Sequence, residues 1–159
     1  MALKLAANPG AASSYAQLAS ELGLSASQVH ASMKRADLSR LVHAKSKNAR
    51  KKELAEFLVH GLKYMLPAEL GPVARGVPTG HSAKPLCDLL SGGEPLVWED
   101  PEGALRGASI KPIHRAAPFA ARRDSALHAG LALVDAIRGG QARERQLAEE
   151  KLREWLDGE

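Results

Sequence analysis

The sequence predicts a mainly α-helical fold: an N-terminal bundle of short helices, then a C-terminal half of helices with one small β-hairpin. Three observations lead there. Apolar residues recur at helical spacing in several separate segments. Serine, glycine and proline stand at the ends of those segments, where helices start and stop. One pair of short segments, around Asp100-Pro101-Glu102-Gly103, carries the turn chemistry of a hairpin.

Taken in order, Leu3 and Leu5 among alanines predict a short helix over 2–7, stopped by Asn8-Pro9-Gly10. Ser14 is a good N-cap for a helix over 15–22 with Leu18, Ala19 and Leu22 on one face, and Gly23 ends it. Ser25 caps a second helix over 26–36 whose buried side carries Val29, Ser32 and Met33. A shorter helix over 37–43 brings Leu38, Leu41 and Val42 to the same core. Residues 44–52 are a basic connector, and Asn48 caps a longer helix running to Met65. Proline and glycine crowd the next stretch, so 66–85 reads as a long loop, followed by one helical turn over 86–90. The hairpin covers 95–110. Two amphipathic helices close the chain, over 124–138 with Leu127, Leu131 and Val134, and over 142–156 with Ala148, Leu152 and Trp155. The domain division expected from this is 1–65 and 66–159.

Composition excludes several functions. Of the 159 residues 45% are hydrophobic, which suits a globular chain, but aromatics are 4%, too few for a stacking platform for single strands. The single cysteine, Cys87, excludes an internal disulfide and a multi-cysteine zinc site. No apolar stretch reaches the roughly 18 residues of a membrane span, and the N-terminal apolar run is too short for a signal peptide. A cytoplasmic protein is expected. The net charge of +4 is unevenly placed: residues 30–63 hold nine Lys or Arg against three acidic residues. Such a concentration fits a nucleic-acid backbone, although a charge run by itself is more often a solvated face.

The strongest local signal is SYAQLASELGLSASQVHASMKR, residues 14–35. Two short helices joined by a tight turn need a small residue at their crossing, a glycine in the turn and an apolar residue on the second helix. Ala19, Gly23 and Val29 supply these. The pattern resembles the helix-turn-helix of bacterial and archaeal transcription regulators, and it is similar to the DNA-binding half of the winged-helix, MarR-like group. The match covers residues 14–42. It departs at Ser32, where the motif usually has a larger apolar residue that Met33 replaces from the next position. The resemblance implies an N-terminal helix-turn-helix bundle whose second helix enters the major groove of duplex DNA. Its outward positions are Ser25, Ser27, Gln28, His30, Ala31, Lys34 and Arg35, and Lys47, Arg50 and Lys51 of the connector would meet phosphate. No hairpin follows that helix closely in this reading. The hairpin over 95–110 has Glu99, Asp100 and Glu102 at its turn, which phosphate repels, so it belongs to the second half.

A weaker candidate lies in the loop, where Arg75, Thr79, His81 and Ser82 suit an anion, a small ligand or a partner loop; a packed loop with incidental polar groups is the alternative. Catalysis finds little support. The sequence lacks GxSxG, P-loop, HExxH and GxGxxG motifs, and its six histidines lack ligand spacing, so neither an enzyme, a cofactor nor a metal is expected. The expectation is a transcriptional regulator, a repressor bound to paired half-sites as a homodimer. The alternative is an antitoxin-type module that neutralises a partner protein encoded next door and represses its own operon. Leu133, Ile137 and Leu156 are expected on the outer faces of the last two helices, as the dimer surface.

Overall fold

Two of the three N-terminal helices start where serine caps place them. In the computed structural model, which describes residues 1–10 and 14–158, α1 spans Ala2–Ala7, α2 Tyr15–Leu22 and α3 Ala26–Leu38. The Ser14 hydroxyl accepts the Gln17 amide at 3.1 Å, satisfying a donor left open by the first turn of α2. Gly23 ends α2 in the left-handed region, φ +63° and ψ 36°, as its position in the tight turn requires. Leu5, Leu18, Ala19, Val29, Met33 and Val42 are buried together beneath these helices.

The expected helix over 37–43 is absent. Asp37 accepts the Ala44 amide on its carboxylate at 3.0 Å, and Arg40 adopts φ +57°, so the chain turns out of α3. Leu38 is consequently 85% exposed, while Val42 is fully buried in a strand. That strand, β1 (Val42–His43), pairs antiparallel with β2 (Asn48–Ala49), so the basic connector is a short hairpin that directly follows α3. Asn48 therefore sits in β2 instead of capping a helix. The next helix begins as α4 (Lys51–Glu56), passes through one π-helical turn (Phe57–Gly61) and ends as α5 (Leu62–Met65).

The largest departure follows Pro67. Residues expected to form a loop contain the nine-residue strand β3 (Leu70–Pro78). The segments expected as a hairpin, β4 (Leu96–Glu99) and β5 (Leu105–Ile110), lie parallel to each other, with Leu96 opposite Ala108. Both pair antiparallel with β3, and the three strands close on themselves. The fold is thus mixed α/β, which corrects the mainly α expectation with its single hairpin. Gly76 explains how so small a closed sheet is possible: β4 and β5 both pair with it, and a Cβ there would collide with the Trp98 carbonyl.

After β5 come α6 (Ala117–Ala121), α7 (Ser125–Gly139) and α8 (Ala142–Asp157). The last two match the spacing of their apolar residues. Their stripes, however, serve this chain's own core: Leu133, Ile137 and Leu156 are 0%, 1% and 2% exposed, so none forms an outer face. The same core takes in Leu54, Leu58 and Leu62 from the α4–α5 stretch and Trp98 from β4, and so runs through residue 65 without a break. One carboxylate ties its layers together. Asp135 on α7 accepts from Trp98 Nε1 at 2.6 Å and Thr79 Oγ1 at 2.9 Å, and pairs with Arg138 at 2.8 Å. Arg138 also donates to the Leu66 and Lys111 carbonyls at 3.1 and 2.8 Å. Among the described residues no helix is long and apolar enough to cross a membrane.

Candidate nucleic-acid interface

Helix α3 buries little of itself. Val29 and Met33 are its two buried residues, 0% and 1% exposed, and they hold it on α2 and β1. Ser25, Ser27, Gln28, His30, Ala31, Lys34 and Arg35 are all exposed, so the residues expected to read DNA share the open side of one helix. Two of them carry a local duty as well. Gln28 Oε1 accepts the Ser25 amide at 2.8 Å, and the Ser25 hydroxyl accepts the Gln28 amide at 3.2 Å. This capping box stabilises the start of α3 and occupies the Gln28 side-chain carbonyl, so the amide NH2 is that side chain's remaining donor. The Ser-x-x-Gln spacing could have flagged that role. Arg35 donates to Ser32 Oγ at 3.1 Å, which occupies the polar residue at the motif's unusual position.

The hairpin β1–β2 lies against the same unit. Lys47 takes φ +53° in its turn, and its ammonium stands 5.6 Å from the Tyr15 ring centre. The Tyr15 ring meets His30 edge-on at 5.7 Å, so hairpin, α2 and α3 converge on one aromatic side chain. No sequence motif marks Tyr15 for this role, and Lys45, one of the nine basic residues of 30–63, is exposed in the hairpin turn. Arg50 is half-buried and donates to the Val42 carbonyl at 3.4 Å, bracing the hairpin. Lys51 opens α4 beside a cleft that also touches Leu5, Pro9 and Asn48.

A buried lysine ties this unit to the rest of the molecule. Lys4, 8% exposed, pairs with Asp124 at 2.6 Å and with Glu21 at 2.9 Å. Asn8 adds a hydrogen bond to Asp124 at 2.7 Å, and Asp124 caps α7 through the Leu127 amide at 2.9 Å. The Lys4 bond holds the Glu21 carboxyl below the usual carboxylate range. Burial pushes the Asp124 carboxyl up, but the bonds from Lys4, the Leu127 amide and Asn8 outweigh it and bring it below that range too. Folded values below the unfolded ones mean stability present above about pH 4 and lost as pH falls through the folded values. Replacing Lys4 by Met leaves both carboxylates without their cation. An expected cost of about 2 kcal/mol at neutral pH follows, since Glu21 is partly solvated. Urea melts at pH 7 and pH 3 check this: the gap between parent and Lys4→Met narrows at the lower pH.

The residues singled out between 75 and 82 do not converge on an open site. Arg75 lies on β3 and donates to the Gly103 carbonyl at 3.2 Å. Thr79 is fully buried on Asp135. The His81 ring lies 3.1 Å from the Glu94 carbonyl, and the Ser82 hydroxyl accepts the Leu96 amide at 2.8 Å. Each group pins β3 and the turn after it to a neighbouring element. Among the described residues no cluster of His, Cys, Asp and Glu is placed to hold a metal ion. No protein-family model, curated protein or solved structure matches this chain.

Proposed function

We propose that this protein binds duplex DNA as a transcriptional regulator, with α3 in the major groove and the hairpin β1–β2 beside it. One observation carries the reading: α3 is anchored by two buried side chains, presents the rest of its polar surface outward, and is followed at once by a basic two-stranded hairpin. A helix in that setting has its outward residues available for base edges, and Lys45 is exposed in the hairpin turn beside it for phosphate. The hairpin's position also suits the winged-helix resemblance better than residues 95–110 do. Paired half-sites call for two copies of the chain. With the stripes of α7 and α8 buried, the exposed side chains of Tyr64, Met65, Leu66, Leu70 and Val73 offer apolar surface to a second copy.

The experiment is binding of the purified protein to the DNA upstream of its own gene, against a scrambled duplex and an RNA of equal length. Preference for the upstream duplex is expected. Ala31→Glu places a carboxylate on the exposed side of α3 and is expected to lower affinity at least about tenfold with an unchanged melting temperature. Equal affinity for all three nucleic acids, or an Ala31→Glu variant that binds like the parent, overturns the reading.

A further inference from the structure

Helix α2 has a cation held on an aromatic ring at each end. At its N-terminal end Lys47 stands over Tyr15. At its C-terminal end the ring is Phe119 of α6, which lies against the turn: a Cβ on Gly23 would come within 2.8 Å of Phe119 Cδ1. Over that ring, 3.7 Å from its centre, lies the guanidinium of Arg123. Arg123 is exposed and shares a cleft with Gln17, Leu18 and Glu21 of α2. The two carboxylates lining that cleft, Glu21 and Asp124, both grip Lys4. Its neighbour Arg122 is engaged differently, on Asp100 and Glu102 at 3.2 and 3.1 Å. Arg123 thus keeps its charge facing solvent, fixed in direction by a ring that is itself braced on the turn before α3.

From these contacts we infer that Arg123 is a phosphate-binding residue of the duplex interface, paired with Lys47 across α2. The inference rests on the duplex-binding reading above. The first helix of such a unit crosses the DNA backbone while the second enters the groove. Eight residues of α2 extend about 12 Å, close to the roughly 12 Å width of the major groove. A cation at each end of α2 is thereby suited to phosphates beside the groove that α3 enters. Stacking fixes the guanidinium in advance, so little side-chain freedom is lost on binding, and its planar donors suit a phosphate. The C-terminal half then contributes directly to DNA affinity through one residue of the α6–α7 connection.

The test measures duplex affinity of the full chain between 50 and 200 mM salt. Arg123→Ala is expected to weaken binding several-fold and to reduce the slope of log affinity against log salt by about one, as when one fewer phosphate is neutralised. Arg123→Lys keeps a charge and is expected to restore the slope. Arg153→Ala removes another exposed cation, from α8, and is expected to leave it unchanged. Thermal melting separates a folding defect from a binding defect, and Arg123→Lys remains the comparison if the Ala variant melts early. A parental slope in Arg123→Ala, or an equal drop in Arg153→Ala, overturns this inference while leaving duplex binding in place. Absence of duplex binding by the parent protein overturns the proposed function instead.

Discussion

A chain ended after Gly139 is expected to lose its fold rather than a partner subunit. Helix α8 places Ala148, Leu152 and Leu156 in the main core, at 0%, 0% and 2% exposure, where they lie with Leu133 and Ile137 of α7. Trp155 adds a hydrogen bond from its indole to the Ala126 carbonyl at 3.0 Å. Burying a leucine contributes about 1.5–3 kcal/mol. Removing α8 forfeits two such side chains and also exposes the apolar face of α7 beneath them. The total is comparable to the roughly 5–15 kcal/mol that typically separates a folded domain from its unfolded chain. Circular dichroism during heating is the check, and the truncated chain is expected to show no cooperative transition. Leu152→Ala is the milder companion, with an expected loss of about 2–5 kcal/mol in urea. A truncated protein that melts near the parental temperature would show that α8 is peripheral and that its stripe is available to a partner.

That outcome differs from the dimer surface the sequence leads one to expect at Leu133, Ile137 and Leu156, and the reason is physical. An apolar stripe states that a helix face is covered; it does not state by what. The spacing of Leu127, Leu131 and Val134 locates α7 well, but it does not say that Leu133 and Ile137 are covered by α8 and the rest of this chain's core, and local signals conceal β3 as well. Strand β3 holds Gly71, Pro72, Gly76 and Pro78, residues that disfavour strands unless close approach of other backbones demands them. Its pairing with β4 and β5 joins residues about 20 to 40 positions apart. The hairpin β1–β2 escapes for a different reason: two residues per strand are too few for any alternation to register. Caps and turns are short-range, so Ser14, Gly23 and Ser25 are legible, and with them the open face of α3. The site's supports, Lys4, Tyr15 and Phe119, act between distant parts of the chain and leave no local pattern to read.

Asp135→Ala is expected to be among the most damaging single substitutions in the molecule. Its carboxylate is 1% exposed and gathers four donors: Trp98 Nε1, Thr79 Oγ1 and two nitrogens of Arg138. Burial pushes the carboxyl up, while Arg138, Thr79 and Trp98 pull the other way and favour its charged form. Alanine would strand the Arg138 guanidinium, whose side chain is 3% exposed, and would leave the indole and the hydroxyl without their acceptor. Breaking a buried ion pair from one side costs about 3–5 kcal/mol, because the remaining charge stays buried. Arg138 also holds the Leu66 and Lys111 carbonyls, so the two linkers flanking the sheet would loosen with it. The double variant Asp135→Leu, Arg138→Leu removes both charges together and is expected to recover part of the loss, since no unpaired charge then remains. Urea unfolding of the parent, the single and the double variants measures this. A loss under about 1 kcal/mol for Asp135→Ala, or a double variant no more stable than the single, would show that the cost does not arise from a stranded Arg138 charge.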